Sequence, residues 1–91
     1  MLNANLIQKK MEQLDGWQLD DAKRINKSYS LKNFKGALEF INKVGQLTEE
    51  MNHHPDIFLS YGKISIQLQT HEVANLTEKD FDLAERIDQI K

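Results

Sequence analysis

The segment 64–70, ISIQLQT, constrains the fold of this chain more than any other, because its apolar and polar residues alternate strictly. A period of two is typical of a β-strand with one buried face, on which the two isoleucines and the leucine would lie. The two residues Gly62-Lys63 separate this strand from the preceding run 58–61. The two runs therefore predict an antiparallel β-hairpin closed by a tight turn.

A second extended region lies earlier in the chain, between Trp17 and Leu31. Apolar residues lie on both sides of a polar break at 20–23, and those after the break share one parity. This pattern predicts another pair of strands joined as a hairpin. Lys27 interrupts the apolar face of its second strand.

Three segments have the three- and four-residue apolar spacing of helices. The first is short and is predicted to stop at Asp15-Gly16, where glycine can adopt a left-handed conformation. The second is predicted to begin after the N-cap Asn33 and to run to about Asn52. The third is predicted to begin at the capping-box-like segment 77–80. The apolar face of the second helix is predicted to comprise Phe34, Ala37, Leu38, Ile41, Val44, Leu47, Thr48 and Met51.

The predicted order of elements is α-β-β-α-β-β-α. Short links between the paired strands favour antiparallel pairing, so the order predicts an α+β fold. We expect a four-stranded antiparallel sheet with helices packed on one face. The other face would be partly open or paired with another subunit.

The length and composition limit the class of protein. With 91 residues, 40% hydrophobic and 29% charged, the chain is expected to form a single domain, residues 1–91, of ordinary globular type. So small a core is marginal, which favours a homodimer or homotetramer. A net charge of −2 with scattered basic residues argues against direct nucleic-acid binding. The lack of cysteine excludes disulfides, and no apolar run suits a signal peptide or a membrane span, so we expect a cytoplasmic protein.

All three histidines and the only proline of the chain lie between positions 53 and 71. Pro55 disfavours helical geometry at the residue before it, so the second helix should end just before or within His53-His54. The pair is therefore predicted at a corner between a helix and a strand. His71 is expected at the end of the alternating strand, away from its core face. Imidazoles that titrate near neutrality are the usual proton carriers, so the three histidines suggest a site.

Glu49 lies four residues before His53, so on a helix the two side chains share a face and can form a hydrogen bond that orients the imidazole. An oriented imidazole is suited to general acid–base catalysis. The same residues also fit a surface corner in which His53 caps the helix, while helix capping alone explains Asp80. A third interpretation is a zinc site of three histidines with Glu49 or Glu72 as a fourth ligand, although adjacent ligands are awkward on one metal.

A spaced set of residues runs through the second half of the chain: Glu49-x-x-x-His53-His54-Pro55, Tyr61, His71 and Asp80. This set resembles the signature of the pterin-4a-carbinolamine dehydratases. The resemblance extends to Gly16-Trp17, Thr70-His71 and the segment 76–81, and thus over nearly the whole chain. The predicted order of helices and strands also resembles the fold of that family.

The resemblance implies dehydration of a 4a-hydroxytetrahydropterin to the quinonoid dihydropterin, a step that recycles tetrahydrobiopterin. It implies His53, His54 and His71 as catalytic residues, Glu49 as the residue that orients or tunes His53, and neither a metal nor an organic cofactor. The residues that it implies for substrate binding are Asn52, Pro55, Ile57, Gln69, Thr70, Glu72, Lys79 and Asp80. The competing hypothesis is a non-catalytic interaction module, since animal members of the family also act as dimerisation cofactors of a transcription factor.

Overall fold

A computed structural model describes residues 2–21 and 23–90 of the chain, and within them the elements follow the predicted order. The helices are α1 (Ala4–Glu12), α2 (Phe34–Met51) and α3 (Glu78–Asp88). The strands are β1 (Gln18–Leu19), β2 (Ile25–Ser30), β3 (Asp56–Ser60) and β4 (Lys63–Leu68). The predicted α+β class is therefore confirmed.

The four strands form one antiparallel sheet in the order β1-β2-β4-β3. The central β2–β4 pair joins the two predicted hairpins, with Ile25 opposite Leu68 and Tyr29 opposite Ile64. On the apolar side of this pair the three apolar residues of β4 and Ile25 of β2 are fully buried, as the alternation in β4 predicts, whereas Tyr29 is partly buried. The opposite side of the same pair is polar, with the hydroxyl oxygens of Ser28 and Ser65 3.0 Å apart.

The ends of α2 are set by two asparagines. The Asn33 side chain accepts a hydrogen bond from the Gly36 N–H at 2.8 Å, which satisfies a donor that the first turn leaves unpaired. At the other end Asn52 adopts the left-handed conformation, with φ 51°. The His53 N–H then bonds the Thr48 carbonyl at 3.1 Å, so the chain leaves the helix at the histidine pair. The predicted corner before Pro55 is confirmed.

Two details of the predicted helices were wrong. The first helix ends at Glu12 rather than at Asp15-Gly16, because the N–H groups of Gln13 and Leu14 bond carbonyls only three residues back, which tightens the last turn. Gly16 (φ 80°) belongs to the loop that follows. The first residues of the α2 apolar face are also less buried than predicted, since Phe34 and Leu38 are 42% and 40% exposed. Ala37, which lies between them on the helix, is fully buried, so only the larger side chains of these first turns reach solvent.

The end of α3 is attached to the first hairpin through Asp88. Its carboxylate accepts hydrogen bonds from Trp17 Nε1 (2.9 Å), Lys27 Nζ (2.8 Å) and the Tyr29 hydroxyl (2.5 Å). Lys27 also donates to the carbonyl of Asp15 at 2.6 Å. Lys27, which interrupts the apolar face of β2, thus joins this strand to α3 through its ion pair with Asp88.

This arrangement predicts an alkaline instability. Burial, together with the hydrogen bond to Asp88 and its charge, raises the pKa of Tyr29 far above the ordinary value of 10.0. Above pH 10 the unfolded chain loses this proton while the native protein keeps it, so stability should fall as pH rises. The loss is at most about 1.4 kcal/mol per pH unit, and less because solvent partly screens the half-buried hydroxyl.

Tyr29→Phe removes this titration. We therefore expect urea unfolding of the wild type to lose more free energy between pH 10 and pH 11 than unfolding of the variant does. Between pH 7 and pH 8 the difference between the two proteins should stay constant. If the free energies of unfolding of the two proteins change in parallel up to pH 11, the fold does not raise the pKa of Tyr29.

Candidate active site

A buried histidine–carboxylate pair lies where the end of α2 meets the start of α3. His53 Nε2 is 2.6 Å from Asp80 Oδ1. His53 is 8% exposed and Asp80 is completely buried, so the contact lies largely out of water. The left-handed Asn52 directs His53 inward, while Asp80 is in the first turn of α3, where the helix dipole favours a negative charge.

Three donors surround the Asp80 carboxylate. Besides His53, the Thr70 hydroxyl donates to Oδ2 at 2.8 Å and the Thr77 N–H donates to the same oxygen at 2.9 Å. A carboxylate is an acceptor only, so Nε2 of His53 carries the proton that bonds Oδ1. In neutral His53 the other ring nitrogen, Nδ1, therefore has a free lone pair and can accept a proton.

The second pair joins His54 and Glu49. His54 Nε2 is 2.5 Å from Glu49 Oε2, and both side chains are solvent-exposed, at 55% and 76%. The predicted pairing of Glu49 with His53 is thus wrong. The four-residue helical spacing ceases to apply at Asn52, because its left-handed backbone rotates the following residue away from the helix face that carries Glu49.

His71 is exposed in a turn after β4, which ends at Leu68. The turn is closed by a bridge in which the Thr70 N–H bonds the Asn75 carbonyl at 2.9 Å. His71 directly follows Thr70, whose hydroxyl reaches Asp80. Thr70, at the start of the turn that carries His71, is therefore hydrogen-bonded to Asp80, the partner of His53.

A cavity of about 450 Å³ adjoins this network, a size that suits a small organic ligand. It is lined by Leu2, Thr70, Thr77, Glu78 and Lys79. Two of the residues expected to bind substrate, Thr70 and Lys79, thus border one space. Thr77 also lines it and bonds Asp80, and sequence reasoning assigned it only to the helix cap. The spacing Thr77-x-x-Asp80 was the available signal.

The other residues expected to bind substrate do not line this cavity. Asn52 and Glu72 are exposed, and Pro55 is half-buried. Ile57 packs against the hydrophobic core from β3, opposite Ile66. The Gln69 amide donates to the Lys23 carbonyl at 3.2 Å, which directs it toward the loop between β1 and β2.

The zinc interpretation finds no support in the described part of the chain. Among residues 2–21 and 23–90, no three histidine or acidic side chains are grouped closely enough to hold a metal ion.

Within the same ranges, none of the helices has both the length and the apolar character that a membrane crossing requires.

The fold and the site together define a small α+β protein with one buried and one exposed histidine–carboxylate pair. Proteins of a known family are similar to this chain in sequence and in fold. The family model described as Pterin 4 alpha carbinolamine dehydratase matches residues 1–90. The chain therefore belongs to the pterin-4-alpha-carbinolamine dehydratase family, and the resemblance seen in the sequence is confirmed.

Two curated relatives, each named provisionally as a pterin-4-alpha-carbinolamine dehydratase, cover most of the chain. The protein of Rubrobacter xylanophilus is 39% identical over 89 residues, which are 98% of this chain and 83% of that protein. The protein of Herpetosiphon aurantiacus is 45% identical over 84 residues, which are 92% of this chain and 86% of that protein. Family membership thus applies to nearly the whole chain.

Solved structures share the fold. A transcriptional coactivator/pterin dehydratase from Brucella melitensis superposes with a TM-score of 0.92 at 30% identity, over 96% of this chain and 94% of that chain. A pterin dehydratase-like protein identified as a RuBisCO assembly factor in the alpha-carboxysome has a TM-score of 0.70 at 20% identity, over 81% of this chain and 87% of that chain. The second likeness concerns the fold alone.

Proposed function

We propose that this chain, as one domain, is a dehydratase that converts a 4a-hydroxytetrahydropterin into the quinonoid dihydropterin and water. The observation that carries the proposal is the buried His53–Asp80 pair beside the exposed His54–Glu49 pair. Elimination of water needs one group that removes a proton and one that donates a proton, and oriented imidazoles do both near neutral pH. We place the protein in the cytoplasm, where it would recycle tetrahydrobiopterin.

His53 suits the role of base. Its Nε2–H bonds Asp80, so Nδ1 can take the proton from N5 of the pterin while the carboxylate stabilises the imidazolium that forms. As N5 loses its proton, its electron pair forms the C4a–N5 double bond, and the C4a–O bond breaks. The departing hydroxyl leaves as water after protonation by one of the two exposed histidines, His54 or His71.

His54 is oriented by Glu49 in the same manner, but in solvent. An exposed pair of this kind contributes less to the orientation of its imidazole than a buried one does, because water competes for both groups and screens their attraction. Glu49 therefore acts as a positioning residue for His54. The chemistry proposed for the buried pair depends more strongly on its carboxylate.

The planar pterin ring would lie against the cavity bordered by Thr70 and Lys79. Asn52, Pro55, Ile57, Gln69 and Glu72 surround the two chain corners that carry the histidines, and we retain them as candidate substrate contacts. Backbone groups of the turn after β4 would match the donors and acceptors at the edge of the ring. Neither a metal nor an organic cofactor is part of the proposed reaction.

The competing proposal is an interaction module without catalysis. Large apolar side chains on two elements support both this role and self-association as a homodimer or homotetramer. Phe34 and Leu38 of α2 are 42% and 40% exposed, and Phe58 and Leu59 of β3 are 59% and 39% exposed. Light scattering on the samples used for the activity assay would report the mass of any assembly.

The test of the enzyme proposal is the rate at which purified protein removes a 4a-carbinolamine. We expect acceleration over buffer, and His53→Ala, His54→Ala and His71→Ala should each lower kcat by about 10- to 1,000-fold while the far-ultraviolet circular dichroism is retained. Asp82→Ala, at an exposed position of α3, provides the control with wild-type activity. A folded wild-type protein that gives no acceleration would exclude the dehydratase and favour the interaction module.

A further inference from the structure

The hydroxyl of Thr70 lies between two oxygens in the interior of the site. Its Oγ1 is 2.8 Å from Asp80 Oδ2 and 2.7 Å from Thr77 Oγ1. A carboxylate can only accept, so the single hydroxyl proton of Thr70 goes to Asp80. The hydroxyl of Thr77 must therefore donate to Thr70. The two threonines form a one-way chain of hydrogen bonds that ends on the carboxylate.

This chain determines which oxygen of Asp80 is available to the histidine. Oδ2 already accepts from the Thr70 hydroxyl and from the Thr77 N–H, so Oδ1 is left for His53. Two donors on one oxygen also restrict rotation of the carboxylate group. We propose that Thr70, supported by Thr77, is a positioning residue that holds the Asp80 carboxylate in the orientation that keeps His53 in its Nε2–H tautomer.

Neither the closing of the turn nor the filling of space accounts for the Thr70 hydroxyl. The residue is 5% exposed, and its backbone N–H already closes the turn through the Asn75 carbonyl at 2.9 Å. Valine has nearly the same shape and would fill the same space. The hydroxyl is thus needed for its hydrogen bonds, and the one that it donates ends on the partner of His53.

The tautomer of His53 can be measured whether or not the protein is active, whereas the kinetic effect rests on the proposed dehydratase activity. Nitrogen-15 NMR distinguishes Nε2–H from Nδ1–H imidazole, and the His53 signals can be assigned by their absence from the spectrum of His53→Ala. We expect only the Nε2–H form in the wild type. In Thr70→Val we expect both forms, because a carboxylate with one donor fewer on Oδ2 can rotate away from His53 Nε2, and the imidazole proton can then occupy either nitrogen.

Thr70→Ser retains the hydroxyl and should restore the wild-type tautomer. Ser28→Ala is the control, since it removes a hydroxyl whose partner is Ser65 Oγ, 3.0 Å away on the polar side of the sheet. It should leave the His53 signals unchanged. A single Nε2–H tautomer in folded Thr70→Val, or equal disturbance in Thr70→Ser and Thr70→Val, would overturn the proposal.

The kinetic arm uses a double-mutant cycle with His53. Thr70→Val alone should lower kcat about tenfold, as expected for loss of a hydrogen bond to a charged group. In the His53→Ala background the same change should have almost no further effect, because Thr70 acts through His53. Equal losses in both backgrounds would overturn the positioning role. If the wild type shows no dehydratase activity, the proposed function fails and the tautomer measurement still decides the role of Thr70.

Discussion

Replacement of Asp80 by asparagine is expected to lower kcat by about 10²- to 10³-fold and to leave the fold intact. The reason is the arrangement of donors around the carboxylate. Oδ2 accepts from Thr70 and Thr77, so the oxygen of an asparagine amide would take that position. The NH₂ group would then face His53 Nε2, which would have to accept. The proton of His53 would move to Nδ1, and the lone pair of the proposed base would be lost.

Two measurements check this prediction. Nitrogen-15 NMR should show His53 of Asp80→Asn as the Nδ1–H tautomer, and the carbinolamine assay should show the fall in kcat. Glu49→Gln is the matched exchange at the exposed partner of His54. It should lower kcat by at most about tenfold, because solvent already competes for that pair. Equal losses in the two variants would contradict the assignment of the buried pair as the base.

The second large effect is expected at Asp88, far from the site. Asp88→Ala should lower the free energy of unfolding by about 2–4 kcal/mol, because it removes the acceptor of Trp17, Lys27 and Tyr29 together. The indole N–H of Trp17 belongs to a residue that is only 6% exposed, so it would lose its partner in a largely dry place. Urea denaturation at one fixed protein concentration measures the change.

Asp82→Ala is the control for this experiment, since it makes the same exchange at an exposed position of the same helix. Its effect should stay within about 0.5 kcal/mol. A destabilisation of Asp88→Ala that is no larger than that of Asp82→Ala would mean that the three hydrogen bonds add nothing to stability. The attachment of α3 to the first hairpin would then depend on apolar packing alone.

The fold could be predicted from local patterns because each element carries its own signal. The alternation in 64–70 predicts a strand whatever it packs against, and β4 covers Lys63–Leu68 of that region. Asn33 and Pro55 mark helix limits through their own backbone chemistry. The end of α1 was misplaced because a glycine that tolerates left-handed geometry need not be the residue that ends the helix. The exposure of Phe34 depends on what packs against the start of α2, which no local pattern contains.

The candidate site was predicted as a set of residues but not as a set of contacts. His53 and His54 were correctly placed at a corner, whereas Glu49 was given the wrong histidine. The spacing rule for helix faces holds only while the helix continues, and one left-handed residue, Asn52, ends it. The role of Asp80 could not be found locally either, since 27 residues separate it from His53 in the chain.

The sequence by itself determined the order of the helices and strands, the buried face of β4 and the family to which the chain belongs, because these depend on periodicity, capping residues and a spaced motif. The tertiary structure alone decided which carboxylate meets which histidine. It also decided that Thr70 and Thr77 hold Asp80, and that Asp88 joins α3 to the first hairpin. Such contacts form between segments that are distant in the chain, and their geometry depends on how the sheet and helices pack rather than on the spacing of residues.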